Sequence, residues 1–120
     1  MHRLMIVDDS RLIRQKIERE SDDSFQVVAM ASNGAEAIEM YQRERPDLVT
    51  MDLTMPTLDG IECIKGLIAI DTNVKILVVS ALNDKSTGIE ALEVGAMGFV
   101  IKPFSSEDLR SALNEIVEDN

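Results

Sequence analysis

An α/β fold is predicted for this chain: a single (βα)5 domain with a doubly wound, parallel, five-stranded sheet. Three observations lead there. Five short apolar runs recur along the 120 residues, segments with helical spacing separate them, and no Gly/Ser-rich or Pro-rich linker interrupts the series. Most of the runs are continuous rather than alternating, as expected of strands covered by helices on both faces.

The elements follow in order. The first run, LMIV at 4–7, leads into Asp8, Asp9 and Ser10, and either Asp9 or Ser10 can cap a helix in which Ile13 and Ile17 are four apart. The second, FQVVAM at 25–30, is followed by Gly34 and by a helix that places Ala37 and Tyr41 on one face. The third, DLVTM at 47–51, ends on Asp52, and Ile61, Ile64 and Ile68 then form a helical stripe. The fourth, KILVVS at 75–80, ends on Ser80; the helix between it and Gly95 is weakened by Thr87 and Gly88. The fifth, GFVI at 98–101, runs into Lys102 and Pro103. The last helix is the best marked. Ser105 and Asp108 have capping-box spacing, Phe104 and Leu109 suit a hydrophobic staple, and Leu109, Ala112 and Ile116 share a face.

A hydrophobic content of 45% supports a real core. The formal charge of −10 argues against direct binding to nucleic acid or to an anionic membrane, both of which begin with basic clusters, and favours a cation or basic partners. The single cysteine, Cys63, excludes an intrachain disulfide and reads as a half-buried thiol in a reducing compartment. With no signal-peptide core at the N-terminus and no run long enough to span a bilayer, the chain reads as cytoplasmic. His2 is expected to be solvated beside the terminus.

Chemistry collects at one edge. In a parallel sheet with right-handed crossovers every strand delivers its C-terminal end to the same side, where open α/β sheets bind ligands. Asp8 and Asp9, Asp52, Ser80 and Lys102 would all meet there. Each alone has a local explanation as a cap, a turn residue or a solvated amine. The adjacent acids are harder to explain: at about 5 Å and an effective dielectric of about 20, two carboxylates repel by about 3 kcal/mol. A cost of that size calls for a positive charge nearby.

Those residues carry a resemblance. The segments IVDDS, DLVTMDLTMPTLDGIECI, VVSALND and GAMGFVIKPF, in order from end to end, resemble the receiver domain of two-component response regulators, most like the stand-alone chemotaxis members. The resemblance implies a strand order of 2-1-3-4-5, a single receiver domain over 1–120 without an output domain, and a cis peptide between Lys102 and Pro103. It further implies that Asp52 accepts a phosphoryl group from a histidine kinase or phosphotransfer protein, and that Asp8, Asp9, Asp52 and the backbone carbonyl of Thr54 hold Mg2+. Lys102 and Ser80 would engage the phosphoryl oxygens, with Ser80 and Phe99 acting as the switch. A downstream target would bind the face formed by the fourth helix, fifth strand and fifth helix. Phe99 departs from the Tyr of many chemotaxis members, so a switch there must work by packing. Thr54 and Leu82 stand where the family varies its dephosphorylation rate.

Three rivals share the fold. A flavodoxin-like cofactor binder needs a phosphate-cradling loop after the first strand, and DDSRL would repel a phosphate. A degenerate receiver would act as a scaffold without phosphorylation, although all five site positions are filled. An isolated receiver of a longer DNA-binding regulator needs a recognition domain, for which the residues after Val117 leave no room.

Overall fold

A computed structural model describes residues 1–21, 23–53, 55, 59–81 and 85–118. Strands and helices alternate throughout: β1(His2–Val7), α1(Arg11–Glu20), β2(Phe25–Ala31), α2(Gly34–Glu44), β3(Leu48–Met51), α3(Gly60–Ile70), β4(Lys75–Ala81), α4(Lys85–Glu93), β5(Gly98–Lys102) and α5(Ser106–Glu118). All strand pairs are parallel, and the order is β2-β1-β3-β4-β5. Thr54 and Leu82 lie outside the described residues.

The period-2 alternation of strands sorts the core into two layers. Leu4 and Ile6, Leu48, Leu77 and Val79, and Val100 face α1 and α5, where they meet Ile17, Leu109, Leu113 and Ile116. Met5 and Val7, Val49 and Met51, and Ile76 and Val78 face the other way, onto Ala37, Tyr41, Ile61, Ile64, Leu67 and Ala91 of α2, α3 and α4. Continuous apolar strands are therefore required, because successive residues enter different layers.

The helix starts agree with their sequence signals. Ser10 caps α1, its hydroxyl accepting from the Ile13 N–H at 3.3 Å. At α5 the Ser105 hydroxyl accepts from the Asp108 N–H at 3.0 Å, while Phe104 and Leu109 bury together. Two details differ from expectation. Cys63 is fully buried rather than half-buried, its thiol 3.6 Å from the Gly34 carbonyl, because it packs against the start of α2 in the core layer it shares with Ile64 and Leu67. His2 is not simply solvated but belongs to β1, half-buried, with its ring 5.6 Å from that of Phe25 on the paired strand.

Candidate functional site

Strand alternation decides which polar groups meet. Asp8 continues the Leu4–Ile6 series, Asp52 the Leu48–Thr50 series, and Lys102 follows Val100, so all three extend the sheet face that α1 and α5 cover. The backbone holds them in place beyond the strands proper: the Asp8 N–H donates to the Ala31 carbonyl at 3.0 Å and the Asp52 N–H to Val7 at 2.9 Å. Asp8 and Asp52 are buried, at 1% and 4% exposure, whereas Asp9 is exposed. One carboxylate oxygen from each lies within 4.8 Å of the others.

Lys102 supplies part of the missing positive charge. Its Nζ stands 2.9 Å from Asp8 Oδ2 and 3.6 Å from Asp52 Oδ1. Burial alone would lower the pKa of this amine, but contact with Asp8 and the charges of Asp8 and Asp52 outweigh it and raise the pKa above the ordinary value. The other Asp8 oxygen accepts the Ser10 N–H at 2.9 Å, and the Asp8 carbonyl accepts from Arg14 Nη1 at 2.7 Å. Among the described residues, three carboxylates converge here and one ammonium contacts two of them, so the cluster is rich in acid. That charge and those oxygens fit a hard divalent cation. Mg2+ prefers oxygen ligands, and Asp8, Asp9 and Asp52 each offer a carboxylate oxygen that could hold it.

Of the remaining predicted positions, Ser80 and Phe99 lie on the neighbouring strands β4 and β5. Ser80 is fully buried near the end of β4, in register with Ile101, and Ala81 is in register with Lys102. Phe99 pairs in register with Val78, two residues before Ser80, so Phe99 and Ser80 share the sheet face under α4. The Lys102–Pro103 peptide is cis, as the resemblance implies.

Gly60 escaped the sequence reading. It begins α3, capped by Asp59, and its N–H donates to the Leu53 carbonyl at 3.1 Å. A Cβ on Gly60 would stand 2.5 Å from the Asp52 carbonyl oxygen and from Leu53 Cα. The glycine lets α3 close directly on the segment that carries Asp52. The Asp59–Gly60 pair reads as an ordinary turn signal, and only the approach of backbone to backbone reveals its purpose.

A parallel 2-1-3-4-5 sheet with an acid cluster and a lysine at its C-terminal edge defines a receiver, the phosphoacceptor module of two-component signalling. The chain belongs to the response regulator receiver domain family, which matches residues 4–114. Its relatives include the chemotaxis protein CheY of Bacillus subtilis (strain 168), 43% identical over 115 residues that span 95% of this chain and 96% of that protein. CheY of Thermotoga maritima is 41% identical over 115 residues, with the same coverage of both chains. Among solved structures, the REC domain of the response regulator AraT from Geobacillus stearothermophilus superposes with a TM-score of 0.92 at 29% identity, covering 98% of this chain and 93% of that one. CheY in the CheX–CheY–BeF3–Mg complex from Borrelia burgdorferi gives 0.90 at 28% identity, covering 97% and 89%.

Proposed function

We propose that this protein is a cytoplasmic, phosphorylation-activated switch of the chemotaxis type. Asp52 is the phosphoacceptor. Its carboxylate oxygen attacks the phosphorus of a phosphohistidine on a histidine kinase or phosphotransfer protein. An O–P bond forms to give an acyl phosphate, the N–P bond breaks, and the imidazole leaves with that electron pair. The observation that carries this reading is the placement of Asp52 3.6 Å from the Lys102 ammonium and inside the 4.8 Å acid cluster.

Asp8, Asp9 and Asp52 would hold Mg2+, which would supply positive charge against the phosphoryl oxygens. Lys102 swings from the carboxylates to a phosphoryl oxygen, and Ser80 donates to another. With both flanks compensated, the site promotes its own phosphorylation and dephosphorylation.

Output rests on Ser80 and Phe99. Movement of the Ser80 hydroxyl toward the phosphoryl group frees space on the sheet face that Phe99 shares. Phe99 is already half-buried, so turning further inward gains only part of the about 1.5–3 kcal/mol available to a fully exposed ring. Partner binding supplies the rest of the shift. The target face is the one formed by α4, β5 and α5, where Ile89, Leu92, Met97 and Ile101 are each at least 40% exposed. Asp108 and Glu115 line the adjoining groove, so the target presents an apolar anchor flanked by basic residues.

Incubating wild type and Asp52→Asn with a phosphorylated kinase, with and without a chelator, tests the assignment. Label should appear on wild type only, and only with a divalent cation. Labelling of Asp52→Asn at the wild-type rate would overturn it.

A further inference from the structure

We propose that Lys16 is a positioning residue for the site: it clamps the turn that carries Lys102 and so sets the approach of the Lys102 ammonium to Asp8 and Asp52. The proposal rests on the reading of Asp52 as phosphoacceptor and adds a residue that touches neither the acids nor a phosphoryl group.

Lys16 lies on α1, half-buried. Its ammonium donates to the Phe104 carbonyl at 2.9 Å and stands 4.5 Å from the centre of the Phe104 ring. Phe104 is 4% exposed and follows the Lys102–Pro103 bond directly. Its carbonyl precedes the Ser105 cap and so lies outside the α5 hydrogen-bond ladder. A charged donor and a cation–π contact converge on one residue of this turn, and both come from the same side chain.

The same helix also grips the opposite side of the site. Arg14, two residues earlier on α1, donates to the Asp8 carbonyl. Helix α1 thus holds the end of β1 that bears the acids through Arg14, and the turn that bears Lys102 through Lys16. Between these two points the Lys102 ammonium reaches Asp8 and Asp52. If the Phe104 anchor is removed, the turn moves relative to β1, and the long Lys102 side chain loses its fixed origin.

A merely structural lysine and a positioning lysine differ in the sign of their effects. Lys102 shares the carboxylates with any bound cation. Loosening Lys102 therefore leaves Mg2+ affinity unchanged or tighter, while weakening a phosphoryl mimic that needs the ammonium. General loosening of the domain weakens both.

The test uses full-length protein and measures Mg2+ affinity, then beryllofluoride affinity at saturating Mg2+. Lys16→Met keeps the aliphatic stem over Phe104 and removes the donor. We expect beryllofluoride binding to fall roughly ten-fold, Mg2+ binding to hold or tighten, Lys16→Arg to restore wild-type behaviour, and Lys16→Met to add nothing in a Lys102→Met background. Wild-type beryllofluoride affinity in Lys16→Met, a parallel fall in both affinities, or a penalty that persists without Lys102 would each overturn the clamp. Should wild type itself bind no beryllofluoride, the phosphoacceptor reading fails separately, and the clamp is judged on the 15N ammonium resonance of Lys102 in metal-free protein. Loss or broadening of that resonance in Lys16→Met supports the clamp; an unchanged resonance overturns it.

Discussion

The Phe99 ring of β5 lies in the notch that Gly88 leaves in α4. A methyl group built on Gly88 would overlap ring carbons Cε2, Cδ2 and Cζ, so this glycine and this aromatic ring are mutually fitted. Ile89 and Leu92 of α4 and Ile101 of β5 complete the pocket around the ring. A residue that weakens α4 as a helix therefore also admits the side chain that links α4 to the sheet.

Gly88→Ala sets two effects against each other. Helix propensity favours Ala by about 1 kcal/mol, whereas overpacking against Phe99 costs about 1–3 kcal/mol. The variant should be destabilised or neutral, should still accept phosphate on Asp52, and should lose phosphorylation-dependent partner binding. In a Phe99→Ala background the clash is gone, so the same substitution should stabilise by about 1 kcal/mol. Denaturant unfolding of the four proteins checks this; without that reversal of sign, the ring does not occupy the notch.

Tyr41 gives a pH readout of the opposite end of the sheet. It is fully buried, and its hydroxyl donates to Asp71 Oδ2 at 3.0 Å. Burial first, then the hydrogen bond to Asp71 and the charge of that carboxylate, push the phenol from 10.0 up to about 12. The fold favours the protonated form, so this contribution to stability is complete below pH 10 and is lost as pH rises toward 12. The chain has one Tyr and no Trp, which makes the phenolate absorbance unambiguous. Native protein should titrate near 12, and Asp71→Asn should bring the midpoint down; a native midpoint near 10 would show that the hydroxyl is not held in this way.

The sequence was informative where a residue's meaning depends on its own strand. LMIV ending on Asp8 and DLVTM ending on Asp52 mark both an element and an edge, because burial on two faces leaves the C-terminal end as the first place a charge can sit. Meaning that depends on a second element was not legible. The sequence brings Lys102, more than ninety residues away, to the same edge as the doubled acid, but its direct contact with Asp8 at 2.9 Å depends on side-chain geometry that only the packed sheet fixes. Gly88 reads as a weak helix position until Phe99 is packed on it, and Gly60 as a turn residue until α3 closes on Asp52. Lys16 carries no sequence signal, since an amine on an amphipathic helix is ordinarily solvated.

Thr50 lies mid-strand in β3, one position before Met51 and fully buried, and its hydroxyl has no hydrogen-bond partner among the described residues. An unsatisfied buried hydroxyl costs about 1–3 kcal/mol, and valine keeps its shape without the polar atom. Thr50→Val should raise the melting temperature by a few degrees and leave labelling of Asp52 intact. Destabilisation would mean that the hydroxyl is satisfied in solution.

Lys102→Met separates the two roles that the ammonium combines. Without metal it offsets the buried Asp8 and Asp52 carboxylates, and removing one partner from a buried pair is costly because the other charge remains. The lysine side chain is 21% exposed, so the loss in chelator should be about 1–3 kcal/mol, below the full buried-pair value. Adding Mg2+ should recover most of it, giving the variant a larger metal-induced rise in melting temperature than wild type. Because Lys102 and the cation draw on the same two carboxylates, the variant should also bind Mg2+ more tightly. Phosphorylation should nevertheless slow, since the amine that would meet the phosphoryl oxygen is gone. Calorimetric titration of Mg2+ into both proteins, with labelling rates measured alongside, decides the matter. Tighter metal binding with slower labelling fits an ammonium that competes for the acids at rest and serves the phosphoryl group in reaction, whereas weaker metal binding would mean that Lys102 organises the acids rather than competing for them.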